Sequence, residues 1–488
     1  MNARASTDAS RRKRATRVGL CAARIAFATA LAFVPIACAV PAVHAQPAVP
    51  DFRELEQLAQ EELKATGVPG AAVAVILGDR VVFAKGFGVA SVESREPVTA
   101  DTLFRIASTT KMLTAAAMAS LEEQGKVRFD VPIDRYTKGL DAKIGRLTLH
   151  QLLSHTAGLR DESSYSGPHD DEALGAFVRS WTADYLFTEP GDVYSYSNPG
   201  YALAGFVLGE VAGKPYADAM RDLLFKPLGM GRSTLRPTVA MTYPVAQAHE
   251  ATAGGPRVVR PFPDDSRFWP NGGVFTSVND FSRFALAFLN GGKVDGKQVL
   301  PPAVIARLSK PHFPRPGGAP GDRTQVAYGL VERQHRGVRV LQHGGSRLGS
   351  GSVVRLAPEH HFAVIILANR TGAFLPKTLE KATELCLPLR REAGPARKTS
   401  RPLTRQEKER LVGTYINHPD ELSVEIFMDG EALMIRSAGQ EAASPLVPTG
   451  DGLFSFDGQE LAVILGPEGT PAYVHLGGRA LKRSGRRQ

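Results

Sequence analysis

Three short segments carry residue types that together can break an acyl bond. In RIASTTK (105–111), Ser108 and Lys111 stand three residues apart at the head of the apolar run MLTAAAMASLEEQGKV. Positions i and i+3 share a helix face, so a buried helix would bring hydroxyl and amine to one spot. Ser108 would then lie near the helix N-terminus and its field. A lysine in a dehydrated pocket holds its proton less tightly and can accept one from a hydroxyl. In GDVYSYSNPGYALAG (191–205), Tyr196 and Asn198 are two apart just before a helix, pointing the same way if that stretch is extended. A phenol beside an ammonium ionises more easily and is a second candidate base, while the amide can bind a substrate carbonyl. In LQHGGSRLGSGSVV (341–354), His343, Gly344 and Gly345 lie on a strand edge, where glycines let a substrate backbone approach closely.

Each spelling recurs elsewhere. Ser10 and Lys13 repeat the first, Tyr415-Ile416-Asn417 repeats the second with no chemistry beside it, and His335-Arg336-Gly337 and His475-Leu476-Gly477 repeat the third. Context separates them: Ser108 precedes an apolar helix, and His343 has a glycine-rich flank. Other residues tempt. His155 in LLSHTAGL reads as ordering a helix end, and His360-His361 as a solvated hairpin tip. The segment HDDE (169–172) reads as a polar loop capping the next helix. There is no G-x-S-x-G elbow and no H-E-x-x-H pair. No metal and no cofactor is expected. Trp181, Trp269 and Phe268 fit either a substrate cleft or the core.

The elements that must position these groups are legible from periodicity. GAAVAVIL (70–77) and VVFAKGFGVA (81–90) are β-rich runs joined across Gly78-Asp79-Arg80, and 351–356 with 361–369 form a second such pair far downstream. Between them Leu203, Phe206, Val207 and Val211 recur at helical spacing, as do Phe281, Phe284, Leu286 and Phe288. Helices are also expected over 214–225 and over 377–387, the latter between Pro376 and Pro388. The expected fold class is α+β, one sheet from distant segments with an inserted helical lobe. RREAGPARKTSRPL (390–403) reads as a linker. Beyond it, hairpins turning at Asp429-Gly430 and Asp457-Gly458 predict an all-β, barrel-like unit over 404–488.

Bulk properties narrow the function. The formal charge of +10 is concentrated at the start: residues 1–45 hold seven Arg/Lys against Asp8. The rest is close to neutral, so a nucleic-acid partner is not expected. RRKRATR followed by IAFATALAFVPIACAV and PAVHAQP reads as a secretory signal cleaved after Ala45, leaving no stable membrane span. Export to the periplasm or medium is expected, with a lipoprotein through Cys38 as the alternative. Cys386 is then the one cysteine of the mature chain, which excludes an intrachain disulfide.

Over residues 51–390 the chain resembles the serine β-lactamase and penicillin-binding-protein superfamily, in particular its class C β-lactamase and esterase-like branch. The resemblance rests on TLFRIASTTK, LLSHTAGL, LFKPLGM, YSYSNPGY, NGGVFTSVNDFSRF and HGGS, in the family's order. It implies an antiparallel sheet flanked by helices, an acylated Ser108, and a base role shared by Lys111 and Tyr196. It further implies that Asn198 binds the substrate amide and that an oxyanion lies between the N–H groups of Ser108 and Ser346. The C-terminal unit resembles the lipocalin-like domain of some members. One departure stands out: His343-Gly344-Gly345 occupies the place of the usual K-T-G or K-S-G. Histidine offers a cation only at lower pH, or else a hydrogen bond. The expected activity is therefore hydrolysis of an ester, amide or D-amino-acid peptide carbonyl, with weak β-lactam turnover. A class C-like β-lactamase, a D,D-peptidase, or a non-hydrolysing sensor of cell-wall peptides is the alternative. The partner is a small-molecule or peptide substrate; oligomeric state is not predicted.

Overall fold

The computed structural model describes residues 49–317, 324–391, 401–418 and 422–484. The expected signal segment, Cys38 and most of the expected linker lie outside these residues. In chain order, helix α1 (Arg53–Thr66) leads into strands β1 (Gly70–Leu77) and β2 (Arg80–Gly88). Helices α2 (Thr110–Glu123), α3 (Asn198–Ala212) and α4 (Val278–Leu289) follow, separated by shorter turns. The chain then forms β3 (Phe313–Pro314), β4 (Gln325–Ala327), β5 (Leu330–His335), β6 (Val338–Arg347), β7 (Ser350–Ala357), β8 (Phe362–Ala368) and helix α5 (Pro376–Cys386).

These eight strands make one antiparallel sheet in the order β2-β1-β8-β7-β6-β5-β4-β3. β1 thus pairs with β8, bringing Val73 opposite Ile366 across almost three hundred residues of chain. Both strands are apolar throughout because both faces are covered. Side chains alternate across a strand, so Ala72, Ala74 and Ile76 pack with α2, α3 and α4 on one side. Ala71, Val73 and Val75 pack with α1 and α5 on the other. Each fully buried Val, Leu, Ile or Phe in these layers contributes roughly 1.5–3 kcal/mol of transfer free energy. Helix α2 is buried from Thr110 to Leu121, the signature of a helix apolar all round.

Local expectations hold with small shifts. Pro376 is the first residue of α5 rather than its predecessor, a position where its missing N–H costs nothing. The helix expected over 214–225 is a short α-turn, Tyr216–Met220, continued by a π-turn, Arg221–Phe225. Asp170 caps helix Ala173–Arg179 by accepting the Ala173 N–H, as the polar loop predicted. Trp181, Trp269 and Phe268 are core residues.

The C-terminal segment is not wholly β: helix α6 (Arg405–Leu411) opens it, closed at its start by a Thr404–Glu407 capping box. Nine strands follow: β9 (Gly413–His418), β10 (Leu422–Asp429), β11 (Ala432–Ser437), β12 (Ser444–Pro445), β13 (Val447–Gly450), β14 (Leu453–Phe456), β15 (Gln459–Leu465), β16 (Pro471–Leu476) and β17 (Arg479–Arg483). Their order is β12-β11-β10-β9-β17-β16-β15-β14-β13, all antiparallel. The two edges are separated in sequence by Leu446 alone, so the sheet is a nearly closed barrel. Tyr415, Ile426, Ile435, Phe454, Leu461, Val474 and Leu481 fill it. Both sheets belong to one compact unit. Val193 meets Tyr473 and Ala480 in an apolar contact between them.

Candidate active site

Ser108 lies in a 3-10 turn, Ala107–Thr109, immediately before α2 rather than on its first α-turn. Its neighbour Ala107 has φ +46°, a left-handed conformation that is strained for a residue with a side chain. Lys111, one turn on, is fully buried. Its Nζ lies 3.4 Å from Ser108 Oγ, 2.8 Å from Asn198 Oδ1 and 3.1 Å from the Asn271 carbonyl oxygen. It also sits 4.7 Å from the Tyr196 ring centroid and 5.6 Å from that of Tyr201. Among the described residues no carboxylate pairs with it.

The Tyr196–Asn198 segment is fixed by the helix that follows. Ser197 is the N-cap of α3, its hydroxyl accepting the Gly200 N–H at 3.1 Å, and Pro199 occupies the first turn. The Ser197 N–H donates to His155 Nδ1 at 3.1 Å, and the His155 ring stacks on Tyr196 with centroids 4.5 Å apart. His155 therefore positions the phenol and is not merely the end of a helix. The Tyr196 hydroxyl is hydrogen-bonded with Ser108. The Asn271 Nδ2–H donates to the Asn198 carbonyl at 3.3 Å, closing a ring of contacts around the amine.

Electrostatics decides which group can be the base. Burial holds the Lys111 ammonium well below its ordinary pKa; Arg479 and Arg347 act the same way, and Asp161 opposes them. Burial drives the Tyr196 phenol upward, and its hydrogen bond with Ser108 and the nearby Arg479 only partly counter this. The easier ionisation expected for Tyr196 is thus corrected: dehydration outweighs the neighbouring cations. His343 is pushed down to about 3, by burial first and Lys111 second. It is therefore neutral across the physiological range and offers a hydrogen bond rather than a cation there.

The third segment runs along β6. The His343 ring centre is 6.3 Å from that of Tyr196, and its Nδ1 is 2.6 Å from the Gly344 carbonyl oxygen. Gly345 is buried and pairs with Ser352 on β7. A Cβ there would collide with the Ile106 carbonyl and the Ser352 hydroxyl and stand 3.0 Å from the Ser108 nitrogen. At Gly345 the close approach is made by the protein's own Ser108 turn, while Gly344 is exposed at the cleft. Ser346 follows on the same strand and is exposed.

The repeats dismissed in the sequence have two fates. His335 and Arg336 bind Glu380 on α5, away from the site. Asn417 and His475 lie on the barrel wall that faces it. Asn417 Oδ1 accepts the Asp161 N–H at 3.0 Å, and Arg479 Nε–H donates to Asp161 Oδ2 at 2.6 Å. Asp161 in turn accepts the Asn198 N–H at 2.7 Å. Asp161, Asn271, Asn417 and Arg479 were all missed as site residues. Asn271 had a signal, since NGGVF belongs to the recognised motifs; the others join partners as far as 318 positions apart.

A cleft of about 840 Å³ opens from Tyr196, His343 and Gly344 and is walled on the far side by Gln459, His475, Gly477 and Arg479 of the barrel. Arg315 and Arg333 also line it.

The sequence model of the Beta-lactamase family matches residues 55–384. The chain belongs to the Beta-lactamase family. Among curated members, Protein flp of Staphylococcus aureus (strain MW2) is 22% identical over 336 residues, covering 67% of this chain. The match spans 65% of that relative's own length. Penicillin-binding protein 4 of Amycolatopsis lactamdurans is 29% identical over 321 residues, covering 62% of this chain and 81% of that one. The crystal structure of SurE superposes with a TM-score of 0.72 at 25% identity, covering 88% of this chain and 98% of SurE. Family membership accounts for the sheet and the helical lobe. The SurE match reaches past the 330 residues of the family match, with 88% coverage.

Proposed function

We propose that this Beta-lactamase-family chain is an exported serine hydrolase working through an acyl-enzyme on Ser108. The observation that carries the reading is the dehydrated Lys111 amine 3.4 Å from Ser108 Oγ, with no carboxylate to hold its proton among the described residues. Lys111 accepts the Ser108 proton as Oγ attacks the substrate carbonyl carbon. The charge that develops on the carbonyl oxygen is held by the Ser108 and Ser346 N–H groups, and Asn198 orients the substrate amide. Tyr196 stays neutral; its hydroxyl both accepts and donates, so it passes the proton from Lys111 to the leaving group. The acyl–Oγ bond is then broken by water, whose proton returns through the same pair.

The cleft supports a peptide-sized substrate. Among the described residues Arg315 and Arg333 line the cleft without an ion pair; Arg333 donates to Gln342 at 3.3 Å, and its Nε is buried without a partner. Two such guanidinium groups favour a substrate with a free carboxylate over a neutral ester. SurE has also been solved with D-Leu, and peptides ending in a D-amino acid with a free carboxylate are accordingly the preferred class. Neutral His343 leaves the position of the usual K-T-G lysine uncharged, so β-lactams acylate Ser108 and turn over slowly. Export rests on residues 1–45; among the described residues no helix is long and apolar enough to cross a membrane.

The test is intact mass after incubation with a fluorophosphonate, with penicillin and with a D-alanyl p-nitroanilide. One adduct per chain on the native protein and none on Ser108→Ala is expected, with repeated turnover of the anilide. Absence of any Ser108 adduct overturns the reading; one stoichiometric burst without turnover turns it into a sensor of such peptides; efficient penicillin hydrolysis overturns the substrate preference.

A further inference from the structure

The turn between β16 and β17 leaves the barrel and reaches the catalytic segment. The Gly478 carbonyl accepts the Tyr196 N–H at 2.9 Å. The Arg479 guanidinium lies 5.3 Å from the Tyr196 ring centroid while its Nε–H donates to Asp161. Asn417 Nδ2–H donates to the Ala480 carbonyl at 2.9 Å and reaches Ser195 Oγ at 3.4 Å, and the Ala480 N–H donates to the same oxygen at 3.2 Å. Ser195 and Tyr196 are thus tied to the barrel directly, and Asn198 is tied to it through Asp161.

The Asp161 side chain is 7% exposed and that of Arg479 is 29% exposed, so water screens their pairing weakly. Lys111 is faced by Ser108 from its own element, by Tyr196, Asn198 and Tyr201 from α3 and its lead-in, and by Asn271. The charged and titratable groups around it are Asp161, Arg479, Arg347, His155 and His343. His155 and His343 are neutral, and Arg347 on β6 is a lesser cation acting on the amine; among the described residues Asp161 is the one anion acting on it, with Arg479 as its counterion.

Resting on the Ser108–Lys111 reading above, we propose that Arg479 of the C-terminal barrel is a positioning residue of the catalytic centre. Through Asp161 it fixes Asn198, through the ring contact it fixes Tyr196, and it neutralises the Asp161 carboxylate, whose charge acts on Lys111. The barrel is then a structural half of the active site, supplied from the end of the chain.

A double-mutant cycle on the full chain tests this, reading kcat/KM for a p-nitrophenyl ester against pH. The rising limb reports deprotonation of the base. Arg479→Gln exposes the Asp161 charge and moves that limb to higher pH by about 0.5–1 unit, with a fall of about tenfold at neutral pH. Asp161→Asn moves it to lower pH, and the double variant returns it close to the native position. Arg479→Lys keeps the charge and therefore the limb, and it serves if the glutamine variant fails to fold. A uniform loss at every pH in Arg479→Gln, or no loss at all, overturns the proposal. A native protein with no Ser108 adduct overturns the function itself; a native protein with the adduct but unmoved limbs overturns the positioning role alone.

Discussion

Ser108, Lys111 and Tyr196 differ in what their surroundings do to a proton. The amine is dehydrated and loses affinity for it, whereas the phenol is dehydrated and gains affinity, because burial always penalises the charged form. The rate of acylation should therefore rise with pH as Lys111 loses its proton and show no fall from Tyr196 ionisation up to pH ~10, the ordinary phenol value. An activity profile with a descending limb that vanishes in Tyr196→Phe contradicts this. Lys111→Met should lower kcat/KM by roughly 10²–10⁴-fold, the usual worth of a positioned base. Native-like rates in that variant remove Lys111 from the mechanism. His343, held at about 3, should contribute no inflection between pH 5 and 8, which a His343→Gln profile checks.

At the scale of elements, the site is a meeting of one 3-10 turn, one helix N-terminus and one strand. The turn and strand touch at Gly345, where the backbone of Ile106 and Ser108 fills the space of a side chain. Gly345→Ala should cost about 1–3 kcal/mol by overpacking and displace the Ser108 nitrogen. A chemical-denaturation midpoint matching the native protein rules that out. The sequence pointed to two glycines with a reason to be there; at Gly345 that reason is a neighbouring segment of the protein itself. Spacing cannot say whether the backbone that comes close belongs to substrate or to protein.

For the whole molecule, burial of neutral imidazoles sets the dependence of stability on pH. His155 is held well below its ordinary value and His312 and His475 near 4, each by burial first, and His343 near 3. Their folded values lie below the unfolded one, so the unfolded chain binds more protons and stability rises with pH. It should be lost progressively as pH falls below ~6.5, the unfolded value. Urea midpoints that stay level from pH 7 to 5 refute this. The sequence by itself marked the strand pairs at the two ends of the catalytic sheet, the main helices between and after them, the S-x-x-K pair at a helix head and the Y-x-N pair before another helix, because alternation, helical spacing and capping act over a few residues. It also marked a β-rich C-terminal unit. What only the tertiary structure decided was where that unit docks, and hence that Asn417 and Arg479 belong with Tyr196 and Asn198. Contacts spanning hundreds of residues leave no periodic trace, and a dehydrated charge acquires its pKa only when the chain has closed around it.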